Sequence, residues 1–162
     1  STEDERIWRA HLQSAIVQAV MGACGPFVLS QRRTYGLPGK NTRVLLVAPE
    51  EEYHEIGIRM GMDFYALLGY EVVYIGCNTP RDTLLNAVKT LRPDLVSISV
   101  TNYLNLAQLP AIISALKALK PAPRVYIAGS ALARTGKSAH DFGADGALTS
   151  FAAIREITEA KQ

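Results

Sequence analysis

The sequence is poor in cysteine and in net charge. Of its 162 residues only Cys24 and Cys77 are cysteines, and they form neither a C-x-x-C motif nor an evident metal-ligand set. Two isolated cysteines indicate a reducing, cytoplasmic setting rather than a disulfide-stapled secreted domain. The 17 Lys and Arg against 15 Asp and Glu leave a formal net charge of +2, which is too small for a dedicated nucleic-acid surface.

Uninterrupted apolar runs are short. They fall well below the roughly 20 residues of a membrane span, and the acidic, polar start over 1–6 is unlike a secretory signal. We therefore expect a cytoplasmic protein with no membrane partner and no direct nucleic-acid binding. The 48% apolar and 20% charged composition is typical of a globular chain that buries a full core.

The start of the chain predicts a helix. Thr2 is a candidate N-cap before an acidic first turn, and apolar residues recur at helical spacing over 7–20. Gly22 and the Gly25-Pro26 pair predict the end of this helix or a break in it.

Five apolar runs alternate with helical segments in the rest of the chain. Such runs predict a parallel sheet covered on both faces, a doubly wound α/β fold of the Rossmann-like or flavodoxin-like kind. The turn-rich stretch over 35–42 indicates a boundary, so we divide the chain into a helical cap segment at 1–40 and a domain at 41–162. The five strands are expected to begin at Arg43, Glu71, Asp94, Arg124 and Gly146.

Ligands in doubly wound folds bind beyond the carboxyl ends of the strands. The loop after the first strand places His54 two residues after Glu52, as expected when a carboxylate orients a metal-ligating imidazole. Gly57 leaves room at the start of the following helix. A solvated acidic loop with an incidental histidine is the alternative interpretation.

Hydroxyl side chains and small residues follow the third and fourth strands. Strand alternation puts Ser97, Ser99 and Thr101 on one face, where they either satisfy backbone groups or line a polar slot between strands one and three. Gly129 and Ser130 follow the fourth strand, where small residues permit a close ligand approach or make a tight turn.

Together these positions resemble the cobalamin-binding domain, whose signature is D-x-H-x-x-G, then S-x-L or S-x-T, then G-G. The resemblance covers about residues 42–160 and implies cobalamin as the cofactor, with adenosyl or methyl as its upper ligand. It implies that His54 replaces dimethylbenzimidazole as the lower ligand of cobalt and that the nucleotide tail enters the slot. The signature here reads Glu52-x-His54-x-x-Gly57, Ser99-x-Thr101 and Ala128-Gly129.

The resemblance also implies the contacts of the tail. Ser99 would hydrogen-bond the displaced base, and Gly129 would make room for the tail. The other expected cofactor-binding residues lie in the same loops or after the fifth strand: Glu52, Tyr53, Glu55, Ile56, Gly57, Ser97, Val100, Thr101, Asn102, Ser130 and Thr149.

Further residues resemble one subfamily, the light- and cobalamin-responsive regulators of the CarH/LitR type. Glu in place of Asp at position 52 and the stretches 57–60 and 76–80 carry this similarity. Those regulators place a four-helix bundle before the domain, and one helix carries W-x9-E-H over the upper face of adenosylcobalamin. This chain has Trp8, but Gln18 and Ala19 replace the Glu-His pair.

The subfamily resemblance implies a sensory module rather than an enzyme, with photoreception and transcription regulation as its roles. Trp8 would cover the upper face of the cofactor. The chain has fewer helices than a four-helix bundle needs, so we expect a protein partner or self-association to complete the cap. We expect no DNA-binding domain in this chain.

Two other functions fit the same residues. One is a corrinoid carrier subunit for a methyltransferase or mutase, since the three motifs permit it. The other is a sensor homologue that binds haem or no cofactor, which the missing Glu-His pair and Ala128 support.

Overall fold

Five parallel strands form the sheet that the alternating apolar runs predict. The computed structural model describes residues 2–35 and 41–159 and gives the strand order β2-β1-β3-β4-β5. This order confirms the doubly wound α/β fold. The strands are β1 (Arg43–Val47), β2 (Glu71–Tyr74), β3 (Leu95–Ser99), β4 (Arg124–Ala128) and β5 (Gly146–Ala147).

Helices cover both faces of this sheet. A buried apolar cluster joins α4 and α5 to one face, and a second cluster joins α3 and α6 to the other. The helices are α1 (Glu3–Ser30), α2 (Arg32–Tyr35), α3 (Ile56–Leu67), α4 (Arg81–Leu91), α5 (Leu109–Lys117) and α6 (Phe151–Glu159).

Short 3-10 helices form in the connections after β3 and after β4. The chain after β3 forms a 3-10 helix at Tyr103–Gln108 before α5. The connection between β4 and β5 contains two 3-10 helices, Leu132–Arg134 and Ala139–Phe142. The break between them follows from Gly136 at φ 65° and from a capping box at Ser138, because both features favour a turn over a continuous helix.

The crossover pattern fixes where a ligand site belongs. β1 pairs with β2 on one side and with β3 on the other, so the chain direction around the sheet reverses between β1 and β3. The carboxyl ends of these two strands therefore flank the crevice at which doubly wound folds bind ligands.

Helix α1 is longer than the sequence predicts. It begins after Thr2, whose side chain accepts the Glu5 backbone N–H at 3.2 Å, which confirms the predicted cap. It then continues through Gly22 and Pro26 to Ser30, so the predicted end at the Gly-Pro pair is wrong. A proline removes one helical hydrogen bond, and this loss is tolerated because the half-buried face of α1 continues on both sides of Pro26.

The half-buried face of α1 packs against α3. Arg32, just after α1, donates to the carbonyl of Gly69, just after α3, at 3.0 Å, so the two helices run parallel with their C-terminal ends together. At 1.5 Å per residue, α1 is about 42 Å long and α3 about 18 Å. The N-terminal half of α1 therefore extends beyond the start of α3, past the carboxyl edge of the sheet. The half-buried residues between the middle and the end of α1 are Ser14, Gln18, Met21, Gly25 and Val28.

The remaining apolar residues of α1 are exposed. Trp8, Ile16 and Phe27 have 53%, 54% and 68% of their surface accessible, although helical spacing alone suggested a packed apolar stripe. By length and composition α1 would suffice to cross a membrane, with a mean hydropathy of 1.5 in its most apolar window. The sequence-based expectation that the apolar stretches fall well short of a membrane span is thus wrong for α1. Core helices and signal sequences share this property, so it does not by itself assign a membrane partner.

The proposed boundary near residue 40 falls on residues 36–40, which lie outside the described part of the chain. The division into a helical cap segment and a following domain stays a prediction.

Candidate functional site

A buried glutamate organises the carboxyl edge of the sheet. Glu52 lies in the loop after β1 and is only 1% exposed. Its Oε2 accepts the backbone N–H groups of Thr101 and Asn102, each at 2.9 Å, and the Nδ2 of Asn105 at 3.2 Å. Burial raises the pKa of Glu52, but the hydrogen bonds from His54 and from these three donors outweigh burial and lower the pKa below its ordinary value. The side chain is therefore a carboxylate that joins the loops after β1 and β3.

The backbone around Glu52 is fixed by two neighbouring loops. Its carbonyl accepts the Asn78 N–H at 2.9 Å, and the Asn78 side chain accepts the Glu51 N–H at 3.0 Å. Asn105 also donates to the Glu51 carbonyl at 3.1 Å. Glu51 has a φ of 63°, a left-handed conformation that these contacts stabilise. The loop is thus preorganised by the segments after β2 and β3.

His54 projects from this fixed loop. Its Nδ1 hydrogen-bonds Oε1 of Glu52, while 61% of its side chain remains exposed. A carboxylate partner on Nδ1 holds the proton there and leaves the lone pair on Nε2. The sequence-based interpretation that Glu52 orients the imidazole therefore has a matching geometry, and His54 presents a nitrogen suited to a metal at the open edge of the sheet.

A cleft of about 470 Å³ opens beside this loop. It lies over the carboxyl-terminal parts of β1, β3 and β4, between α3 and α6. Six of the predicted cofactor-binding residues line it: Gly57, Ser97, Ser99, Gly129, Ser130 and Thr149. The hydroxyls of the third strand therefore face a cavity rather than only backbone groups.

The other predicted site residues lie outside the cleft. Tyr53 is exposed beside His54, and Ile56 is the half-buried first residue of α3. Glu55 accepts the Tyr74 hydroxyl at 2.9 Å and pairs with Arg59 at 3.7 Å, so its carboxylate is engaged away from the cleft.

The loop after β3 and the first helix complete the predicted set. Thr101 and Asn102 approach the site through their backbone N–H groups, which bind Glu52. Val100 is fully buried in the apolar cluster on the α4–α5 face of the sheet, so its side chain packs in the core rather than in the cleft. Trp8 lies on the part of α1 that extends beyond α3, and it is exposed.

Two glycines at the site serve different purposes. Gly129 has a φ of 87°, and a Cβ there would come within 2.3 Å of the Val100 carbonyl oxygen. The fold itself requires this glycine, which supports the tight-turn interpretation. A Cβ on Gly57 would meet nothing within 4 Å, so Gly57 leaves open space at the cleft mouth.

Sequence reasoning missed two residues that matter here. Asn105 completes the hydrogen-bond shell of Glu52, and no pattern in the sequence marks it. Tyr65 of α3 lines the cleft and is 1% exposed. No motif in the sequence marks this tyrosine as a cleft residue.

The side chains at this site can supply one ligand to a metal, so they suit a metal whose other ligands come from a cofactor. Within residues 2–35 and 41–159, no group of three or more His, Cys, Asp or Glu side chains is placed to hold a metal ion. A single imidazole next to a cleft fits a cofactor whose macrocycle supplies the other metal ligands and whose tail needs a cavity. The residues present therefore fit a corrinoid.

Comparison with known proteins agrees with this fit. Residues 42–153 match the family model of the B12 binding domain. No curated protein sequence matches the chain.

Several solved structures share the fold. A cobalamin-binding protein from Desulfitobacterium hafniense is 26% identical with a TM-score of 0.63, over 75% of this chain and 59% of that one. The monomethylamine corrinoid protein of Methanosarcina barkeri is 17% identical with a TM-score of 0.67, over 86% and 65% of the two chains. The methanol:cobalamin methyltransferase complex of the same organism is 18% identical with a TM-score of 0.61, over 80% and 50%. This chain thus spans between half and two thirds of the length of these structures.

Proposed function

We propose, from the premise that the chain belongs to the B12 binding domain family, that it is a cobalamin-binding regulatory module in which His54 is the lower ligand of cobalt. Cobalamin is the cofactor of the chain. The observation that carries the ligation is the contact between His54 Nδ1 and the buried carboxylate of Glu52. Bound cobalamin would supply a cobalt centre whose upper ligand is exchangeable.

Different residues of the chain would bind the cobalt and the nucleotide tail of the cofactor. His54 would donate its Nε2 lone pair to cobalt, because Glu52 keeps the proton on Nδ1. The cleft lined by Ser97, Ser99 and Gly57 would take the nucleotide tail that the histidine displaces. Because Glu52 is tied to the loop after β3, the two parts of the site keep a fixed relation.

The regulatory part of the proposal rests on α1. Its N-terminal half extends past the carboxyl edge of the sheet and carries the exposed Trp8, so this half would lie over the upper face of the cofactor. A change of upper ligand, by light or by exchange, would then move α1 and alter the association of its exposed apolar surface with a partner or a second copy. We also propose a cytoplasmic location, for which the two free cysteines are the support.

The test of ligation is the absorbance spectrum of the purified chain with adenosylcobalamin in the dark, for wild type and His54→Ala. We expect the spectrum of bound cobalamin to change in His54→Ala and to stay unchanged in His140→Ala, whose histidine is exposed on the 3-10 helix Ala139–Phe142, outside the cleft lining. Identical spectra for wild type and His54→Ala would show that His54 is not a cobalt ligand.

The test of regulation is hydrogen exchange of α1 before and after illumination of the cobalamin-loaded chain. We expect its N-terminal half to lose protection in light, with a change in oligomer size. Equal protection of α1 in dark and light would exclude the light response.

A corrinoid carrier subunit is the second candidate function. The observation that favours it is the position of Gln18, which is half-buried on the α3-facing side of α1 where the regulators carry glutamate. A chain without the Glu-His pair leaves the upper face to a catalytic partner. A stable complex with a corrinoid-dependent methyltransferase or mutase, together with turnover in that complex, would favour this function over the regulatory one.

A further inference from the structure

A tyrosine hydroxyl lies unpaired on the floor of the cleft. Tyr65 is 1% exposed, and its ring packs edge-on against Tyr70 with the centroids 5.2 Å apart. Among the described residues, nothing hydrogen-bonds its Oη. The Ser97 hydroxyl, also on the cleft floor, lies nearby without completing a bond of normal geometry.

This arrangement is costly for the ligand-free protein. A buried hydroxyl without a partner loses its hydrogen bonds to water and gains none in return. A phenylalanine would fill the same space without that loss. The hydroxyl is therefore best explained by a partner that arrives with the ligand.

The surroundings indicate which partner fits. Burial raises the pKa of Tyr65 well above its ordinary value, so the group stays protonated and donates. The guanidinium of Arg124 acts electrostatically on Tyr65, and its Nη2 is another buried donor without a partner in the described chain. Arg124 is not among the residues that line the cleft, so the donor that a ligand meets here is the Tyr65 hydroxyl, which favours an acceptor atom on the ligand. The walls are apolar, with Leu46, Ile58 and Leu148 among them, which suits a flat aromatic ring.

The position of Tyr65 deep in the cleft determines which edge of the ligand's aromatic base it contacts. Ser97 lies two residues before Ser99 on β3, which places it about 6.6 Å deeper at 3.3 Å per residue. This separation is close to the length of a bicyclic base. If Ser99 meets the near edge of the tail base, Tyr65 and Ser97 face its far edge.

We propose that Tyr65 selects the base of the corrinoid tail by donating a hydrogen bond to an acceptor at the far edge of that base. A purine or a hydroxylated benzimidazole carries a polar atom there, whereas dimethylbenzimidazole presents two methyl groups. This inference rests on the proposed insertion of the tail into the cleft. It makes Tyr65 a specificity-determining residue that distinguishes corrinoids by their tails.

The experiment measures the affinity of three corrinoids for wild type and Tyr65→Phe by calorimetric or spectroscopic titration. They are cobalamin, the corresponding adenine-containing cobamide, and cobinamide, which has no nucleotide tail. We expect wild type to bind the adenine cobamide roughly tenfold more tightly than cobalamin, as one buried hydrogen bond allows. Tyr65→Phe should lose this preference and bind cobinamide as wild type does. Tyr103→Phe, which changes an exposed tyrosine, should keep the preference.

Folding provides a second readout, because removal of an unpaired hydroxyl should leave the ligand-free protein as stable as wild type or more stable. Ser97→Ala should weaken the preference partially. The inference would be overturned if Tyr65→Phe kept the wild-type preference for the adenine cobamide over cobalamin. It would also be overturned if the variant lost affinity for all three corrinoids equally. If wild type bound none of the three, the proposed function itself would fail.

Discussion

Glu52 joins the two loops that flank the crevice, because its Oε2 accepts the Thr101 backbone N–H at 2.9 Å. The loops follow β1 and β3, which are neighbours in the sheet but are 49 residues apart at this contact. The same carboxylate holds His54 through its other oxygen. One buried side chain therefore serves the fold and orients the proposed ligand.

The first prediction separates these two roles. Glu52→Ala would leave the N–H groups of Thr101 and Asn102 and the Asn105 amide without their acceptor, so we expect a loss of about 2–4 kcal/mol in the free energy of unfolding. His54→Ala removes one donor from the buried carboxylate but leaves the three loop donors in place, so its effect should be smaller, about 1 kcal/mol. Urea denaturation of the corrinoid-free protein measures both. Glu50→Ala, in the exposed part of the same loop, is the control.

Equal urea midpoints for Glu52→Ala and wild type would show that Glu52 does not hold the two loops together. In that case its contact with His54 would be its only function.

The second prediction concerns Gly129. A Cβ at this position would lie 2.3 Å from the Val100 carbonyl oxygen, on a backbone with φ of 87°. We expect Gly129→Ala to destabilise the ligand-free protein by about 2 kcal/mol or more, because the turn after β4 has to shift. Thermal unfolding measures the loss. Gly57→Ala is the matched control, since its added methyl group meets no atom within 4 Å, and a similar loss in both variants would contradict the assignment.

The third prediction uses the open space at Gly57. Gly57→Phe should fold, because the position faces the cleft rather than the core. The phenyl ring should obstruct the mouth of the cleft, so we expect the affinity for cobalamin to fall while that for the tail-less cobinamide is kept. Titration of both corrinoids measures this difference. An unchanged affinity for cobalamin would place the tail elsewhere.

The sheet and the loops that carry the site follow from local patterns in the sequence. Apolar runs such as Arg43–Val47 and Leu95–Ser99 alternate with helices, and this pattern gives a parallel sheet whose carboxyl edge holds the functional loops. The pairing of Glu52 with His54 was also predictable, because two residues within one loop need no tertiary information to be neighbours.

Contacts between distant segments were not predictable in this way. Asn105 reaches Glu52 only because β1 and β3 are neighbours, and the purpose of Gly129 depends on the Val100 carbonyl below it. The extent of α1 was also missed, since Gly25 and Pro26 favour a break locally while packing on α3 continues past them. In each case tertiary contacts decide what local propensity leaves open.

The last prediction tests whether α1 covers the cofactor. Trp8 is the one tryptophan of the sequence, and it is 53% exposed on the part of α1 that extends beyond α3. If that part lies over the upper face, adenosylcobalamin should shield the indole, and the slope of acrylamide quenching of Trp8 fluorescence should fall.

The control is a Trp8→Phe protein that also carries Phe27→Trp. Phe27 is 68% exposed near the other end of α1, and a tryptophan there should keep its accessibility when cobalamin binds. An unchanged slope for Trp8 would leave the upper face uncovered. An equal fall at both positions would mean that cobalamin drives association along the whole apolar side of α1, because a cofactor bound at His54 shields one end of the helix and a partner shields its entire length.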